Sequence, residues 1–262
     1  MFFVPNAPVV IGLDGPSQDA LNRAWKQLME RMPRNVERMI YLDGKNRLKD
    51  LAVAIPPSLV NSLEIVSGWA EKAVTEPANR TVFDGMLNSD GSEDPLELAE
   101  ILHQNRFAAE FPQAVKSSMA QSCSFMSVTP GDVAAGEPVS MMMFHSAMHA
   151  TGLWDRRKRA LSTGLLVNDV DELGSPTLLT LMLPTETVII PRGPANTWCV
   201  ERVVPNLLDH VGLHLLPLAP DLDRPFGRAR IDRRVMSLVD RAVRAGARLD
   251  VHSELFSAMK LI

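Results

Sequence analysis

TLLTLMLPTETVIIPR, residues 177–192, contains two apolar runs on either side of a Pro-Thr-Glu separator. Each run is about five to seven residues long, is rich in large or β-branched side chains, and ends at a proline, which is typical of a β-strand. A separator this short joins neighbouring strands that run in opposite directions. The stretch therefore predicts two adjacent antiparallel strands.

The same alternation of short apolar runs with Pro, Gly, Asn and Asp extends over residues 123–218. By the same criteria, strands are predicted for four further segments: SFMSVTP at 124–130, STGLLVN at 162–168, TWCVERVV at 197–204 and LHLLPL at 213–218. Because the separators are short, the segments are expected to form a meander-like antiparallel sheet.

Helical periodicity replaces this pattern in the first 122 residues. Apolar side chains recur every three or four residues over 17–32, and a further turn or two is predicted over 35–41, ending at Asp43-Gly44. Other helices are predicted within 55–74, 95–105 and 111–122. The predicted fold class is α+β, with a helical part (1–122), a β-rich part (123–229) and a long C-terminal helix (230–262).

Composition excludes several classes of function. The 262 residues carry a net charge of −4, which argues against a protein that coats nucleic acid with spread basic charge. No apolar run approaches the roughly 18–20 residues that span a bilayer, so no membrane partner is expected. The N-terminus is apolar but has no basic region before it, which disfavours a signal peptide.

Motifs for catalysis are missing from the sequence. There is no nucleotide-binding loop, no dinucleotide fingerprint and no nucleophile elbow, so no catalytic, metal-binding or cofactor-binding residue is assigned. His145 and His149 are spaced i, i+4, which puts two imidazoles on one face if the segment is helical. A zinc site needs a third ligand, and the segment also reads as a strand or turn. An enzyme of unknown class that uses these histidines remains the weaker alternative.

Positive charge is concentrated in RPFGRARIDRRVMSLVDRAVRAGAR, residues 224–248, which holds eight arginines and two aspartates. At about 100° per residue, a set of five falls within about 80° of one helix face: Arg230, Arg234, Arg241, Arg244 and Arg248. Val235 and Val239 fall on the opposite side. Arginine favours planar, bidentate pairing with carboxylates or phosphates. The segment therefore predicts a helix with one buried apolar face and one guanidinium-lined face.

The segment RPFGRARIDRRVMSLVDRAVR also resembles the RPFGRSRI-type segment of tailed-phage portal proteins, especially those of phages of actinobacteria. YLDGKNRL, GWAEKAVTEPANRTVFDG, SFMSVTPGD, LWDRRKRALSTGLLVND, TLLTLMLPTETVIIPR and TWCVERVV resemble further elements of that family in the same order. The similarity extends from about residue 17 to the end. It departs at Ala229, where the family usually has serine, and at Met259 to Leu261, where it has Pro-Gln-Arg.

The resemblance implies a structural protein that is not an enzyme and has no cofactor. Such proteins form a ring, usually of twelve subunits, at the capsid vertex of the virion after assembly in the host cytoplasm. Double-stranded DNA passes through the ring during packaging and ejection. The large terminase, the head–tail adaptor, and the major capsid and scaffolding proteins are the other expected partners.

The chain corresponds to the N-terminal half of that family, namely the wing and the first stem helix; the clip, second stem helix and crown have no counterpart in it. A fragment and a short gene product both fit this pattern. The five arginines are candidates for the interface between neighbouring subunits. A portal-derived interaction module, which would differ mainly in its oligomeric state, is the alternative.

Overall fold

The computed structural model describes residues 6–44, 68–85, 98–206, 210–217, 225–226, 229–231 and 233–241. Within them, named helices are α1 (Gly15–Leu42), α2 (Trp69–Asn79), α3 (Leu98–Gln104) and α4 (Phe107–Gln121), and residues 233–241 are also helical. The strands are β1 (Val10–Ile11), β2 (Cys123–Pro130), β3 (Ser140–Ser146), β4 (Ala150–Asp155), β5 (Ala160–Val170), β6 (Pro176–Met182), β7 (Glu186–Pro191), β8 (Trp198–Cys199), β9 (Arg202–Pro205) and β10 (Leu213–Pro217).

The strands form two antiparallel sheets, which with the helices make this an α+β protein. Five strands run in the order β4-β5-β6-β7-β9, and three run in the order β10-β2-β3. The β6–β7 pair, from Leu178 opposite Pro191 to Met182 opposite Thr187, is the hairpin predicted from 177–192. Strands β1 and β8 form a separate parallel pair.

Helix α1 begins where the sequence provides a cap. The Asp14 carboxylate accepts a hydrogen bond from the backbone N–H of Ser17 at 3.1 Å, and Pro16 lies in the first turn, where its missing N–H costs nothing. The helix ends at Leu42, as the Asp43-Gly44 signal predicts. It continues through Pro33, so the helical segments predicted over 17–32 and 35–41 form one continuous helix.

Packing on both sides of Pro33 explains the continuous helix. A proline inside a helix costs about 3 kcal/mol. The N-terminal half of α1 buries Leu21, Trp25 and Leu28 against the inner face of the five-stranded sheet. Beyond the proline, the buried Asn35 side chain donates to the carbonyl of Ala147 at 3.1 Å. These contacts offset the cost of the proline.

Two further clusters complete the core. One joins α1, α2, α4 and the C-terminal segment through Leu42, Ala70, Val74, Ala78, Met119, Ala120, Ile231 and Val239; we call it the helical cluster. The other lies between the two sheets, where a Cβ built on Gly164 would come within 2.7 Å of Leu213 Cδ2. A side chain at this position would require Leu213 to shift, so glycine favours the close approach of the two sheets here.

Three strand assignments need correction. Strands β3 and β4 were not predicted, and together with the chain reversal between them they fill residues 140–155. The predicted strand over 197–204 is divided, because Trp198 and Cys199 pair with β1 while Arg202–Pro205 pairs with β7. The single meander is therefore two antiparallel sheets and a parallel pair. Residues 242–262 of the predicted long helix lie outside the described residues.

Candidate functional site

The arginine-rich segment enters the fold through two anchors. Phe226 packs against the cluster between the sheets, beside Cys123 and Phe125. The backbone N–H of Arg230 then donates to the carbonyl of Met119 at 2.8 Å, and Ile231 is completely buried in the helical cluster. These contacts fix where the following helix starts and which way it runs.

Residues 233–241 dock with their apolar face inward. Val239 is 1% exposed, and Val235 and Met236 pack against the same helical cluster. The Tyr41 hydroxyl donates to both carboxylate oxygens of Asp240, at 3.0 and 3.1 Å. Burial, and next the hydrogen bond to Asp240, raise the pKa of Tyr41 to about 12. The rotation of the helix about its axis is thus fixed by packing and by one polar contact.

The outer side of this segment carries its positive charge. Arg230, Arg234 and Arg241 of the predicted stripe have exposed side chains, and Arg233, which the stripe does not include, is exposed as well. The Nε of Arg241 donates to the carbonyl of Ser237 at 3.3 Å, within its own helix. Arg244 and Arg248 lie outside the described residues. The described arginines present guanidinium groups suited to carboxylates or phosphates on another molecule.

A hydrogen-bonded serine–histidine pair, which the sequence gave no reason to expect, lies on the three-stranded sheet. Ser127 Oγ is 2.8 Å from His145 Nε2, between neighbouring strands β2 and β3. Burial, and secondarily nearby His149, lower the pKa of His145 to about 4, so its imidazole is neutral at pH 7. The pairing of β2 with β3 brings these side chains together, and the sequence pattern did not predict β3.

The described surroundings of this pair differ from those of a catalytic triad. In such a triad a third group orients the base that takes the proton from the nucleophile. Among the described residues no carboxylate is hydrogen-bonded to His145, and Ser127 is 1% exposed. His145 lies in strand β3 and His149 lies in the turn that follows it, so the two do not share a helix face. The contact satisfies two polar groups of the sheet.

No group of three histidine, cysteine or acidic side chains suited to a metal occurs in the part of the chain that the structure describes. Nor does any described helix combine the length and the apolar character required to cross a bilayer. No protein-family model matches this chain, and comparison with curated proteins finds no significant relative.

Proposed function

We propose that this chain is a portal-type subunit, part of a ring at a capsid vertex through which double-stranded DNA is packaged and ejected. The main observation behind the proposal is that three segments in which the sequence resembles the portal family contact one another in the fold. Tyr41 of YLDGKNRL binds Asp240 of the arginine-rich segment, and Ala70 and Val74 of GWAEKAV share the helical cluster with Ile231 and Val239. Segments far apart in sequence thus build one packed unit.

The exposed arginines supply the proposed contact between subunits. Outside residues 224–248 the chain carries a net charge of −10, against +6 within that segment, so every copy offers acidic surface to a neighbour. A contact of arginines on one subunit with carboxylates on the next is heterologous, and rotation can close it into a ring. Exposed pairs contribute about 0–1 kcal/mol each, so the interface depends on several of them together.

An acidic body also suits a DNA channel. Uniformly basic walls bind the phosphate backbone strongly and in a salt-dependent way, which would hold DNA rather than let it slide. In this proposal the arginine face is directed mainly at the neighbouring subunit rather than at DNA. The large terminase, the adaptor, and the capsid and scaffolding proteins would dock on the ring from outside.

The test is a double charge reversal on the exposed face, Arg230→Glu with Arg241→Glu. We expect folded subunits, with unchanged far-ultraviolet circular dichroism, that no longer assemble. The matched control is Arg156→Glu with Lys158→Glu, two exposed residues of the turn between β4 and β5 that change the net charge equally. The control should assemble as the wild type does.

Two outcomes would contradict this assignment of the arginine face. If the face variant still forms rings and only DNA retention changes, the arginines face the channel. If the wild-type chain is a folded monomer that binds another virion protein, the chain is an interaction module instead of a ring subunit.

A further inference from the structure

We infer that a cleft beside the middle of α1 is a binding site for a phosphate group. The cleft has a volume of about 580 Å³. Helix α1 forms one wall. Ala147, Ala150 and Thr151 line the facing side, and Pro225, Phe226 and Ala229 close a third side. This size is within the range of about 300–1,000 Å³ that is usual for small-molecule sites.

Three arginines of α1 line this cleft. Arg31, Arg34 and Arg38 are spaced i, i+3 and i+7, which places them within about 60° on one side of the helix. The described lining contains no aspartate or glutamate, and in the described residues none of the three arginines forms an ion pair. The cleft therefore concentrates positive charge that no carboxylate among its described lining residues neutralises.

Hydrogen bonds hold the walls in place without using up the arginines. The Gln27 side chain donates to Thr151 Oγ1 and to the carbonyl of Gly152, both at 2.9 Å, which ties α1 to β4. Arg38 Nη1 donates to the carbonyl of Gln121 at 3.0 Å and to Asn35 Oδ1 at 3.3 Å. Arg31 and Arg34 are exposed at the mouth and remain available to a ligand.

The charges in the cleft act on one another. Burial lowers the pKa of Arg38, and the neighbouring Arg34 lowers it further. Cys123 acts in the opposite direction, followed by smaller effects of Arg31, which lowers the pKa, and Glu37, which raises it. Burial raises the pKa of the Cys123 thiol to about 12, so it stays protonated and does not supply a counter-charge at neutral pH. An anion bound between the guanidinium groups would relieve their repulsion.

A phosphate group fits this arrangement through its charge and its acceptor atoms. Near pH 7 a phosphate monoester carries a charge of about −1.5 to −2 and presents three acceptor oxygens, enough for more than one guanidinium fork.

The experiment is calorimetric titration of the full chain with inorganic phosphate, adenosine monophosphate and a short DNA duplex, with ionic strength matched by chloride. The test variant is Arg31→Gln with Arg34→Gln. Arg38 is left intact because it also holds the Gln121 carbonyl. The matched control is Arg23→Gln with Lys26→Gln, two exposed α1 residues outside the lining that remove the same charge.

We expect the wild type and the control to bind phosphate, and the test variant to bind at least about tenfold more weakly. Tighter binding of the nucleotide than of inorganic phosphate identifies a small molecule as the source, whereas binding of the duplex alone identifies nucleic acid. The inference is overturned if no phosphate probe binds at matched ionic strength, or if the test variant and the control lose affinity equally. The titration does not depend on ring formation, so its result is independent of the proposed function.

Discussion

A comparison of Val239→Ala with Leu238→Ala tests which face of the helix at residues 233–241 is buried. Neighbouring residues of one helix lie on different faces, so the two substitutions probe the buried and the exposed side separately. Val239 is 1% exposed in the helical cluster, whereas Leu238 is 46% exposed. If the orientation is correct, truncating the smaller side chain costs more than truncating the larger one.

The magnitude follows from burial. Val239→Ala removes the equivalent of two buried methylene groups at about 0.8 kcal/mol each, and the cavity left among close-packed neighbours raises the cost to about 2 kcal/mol. The better helix propensity of alanine offsets about 0.5 kcal/mol of this. Leu238→Ala leaves no cavity because water fills the space, and should cost less than about 1 kcal/mol.

Thermal unfolding followed by far-ultraviolet circular dichroism measures the difference. For a chain of this size, 1 kcal/mol corresponds to roughly 2–4 °C in Tm, so we expect Val239→Ala to lower Tm by about 3–6 °C. Leu238→Ala should lower it by less than about 2–4 °C. Equal shifts, or a larger shift for Leu238→Ala, would refute this orientation and with it the outward direction of Arg241.

Two further predictions concern titration. Tyr41 is the only tyrosine in the chain, so the absorbance of the phenolate reports its titration directly. We expect a midpoint near pH 12. Asp240→Asn should lower this midpoint, but the increase in pKa that burial causes should remain. A midpoint near 10 in the wild type would contradict the burial and the hydrogen bond. For His145, the folded-state pKa of about 4 lies below the ordinary value of 6.5. Between these two pH values the unfolded chain binds a proton at His145 that the folded chain does not bind. The free energy of unfolding should therefore fall as pH drops from about 6.5 to about 4. Urea unfolding at stepped pH should show a shallower fall in His145→Gln, and an identical fall in both proteins would contradict the assignment.

Local sequence patterns predicted the elements whose signals are local. The β6–β7 hairpin follows from two apolar runs and a Pro-Thr-Glu separator, and the end of α1 follows from Asp43-Gly44. In both places the turn residues and the hydrophobic pattern indicate the same structure, so long-range contacts are not needed to predict it.

Strands β3 and β4 escaped prediction because their patterns are not local. Six of the seven residues of Ser140–Ser146 are partly buried, so the strand has no alternation of buried and exposed side chains. The reversal after it, residues 147–149, contains neither glycine nor proline. Likewise, Trp198 and Cys199 pair with Val10 and Ile11 instead of with a neighbouring strand of the meander. These partners lie almost two hundred positions earlier, and a local sequence pattern does not predict so distant a strand partner.

The two candidate sites also differ in how much of each the sequence predicts. Helical spacing was enough to predict that Val239 faces inward and that Arg230, Arg234 and Arg241 lie on another side. The spacing of Arg31, Arg34 and Arg38 is also visible in the sequence, but the other walls of the cleft come from distant residues, namely Ala147, Ala150, Thr151, Pro225, Phe226 and Ala229. Because these other walls depend on tertiary packing, the sequence predicts that the three arginines share one side of a helix but does not predict the cleft.

The native mass of the purified wild-type chain tests the proposal of a ring most directly. Sedimentation analysis with negative-stain imaging should show a closed ring of about twelve copies of the 28.9 kDa subunit, and raised salt should weaken it because its contacts pair arginines with carboxylates. A folded 28.9 kDa monomer as the sole species at every concentration and salt level would contradict the proposal.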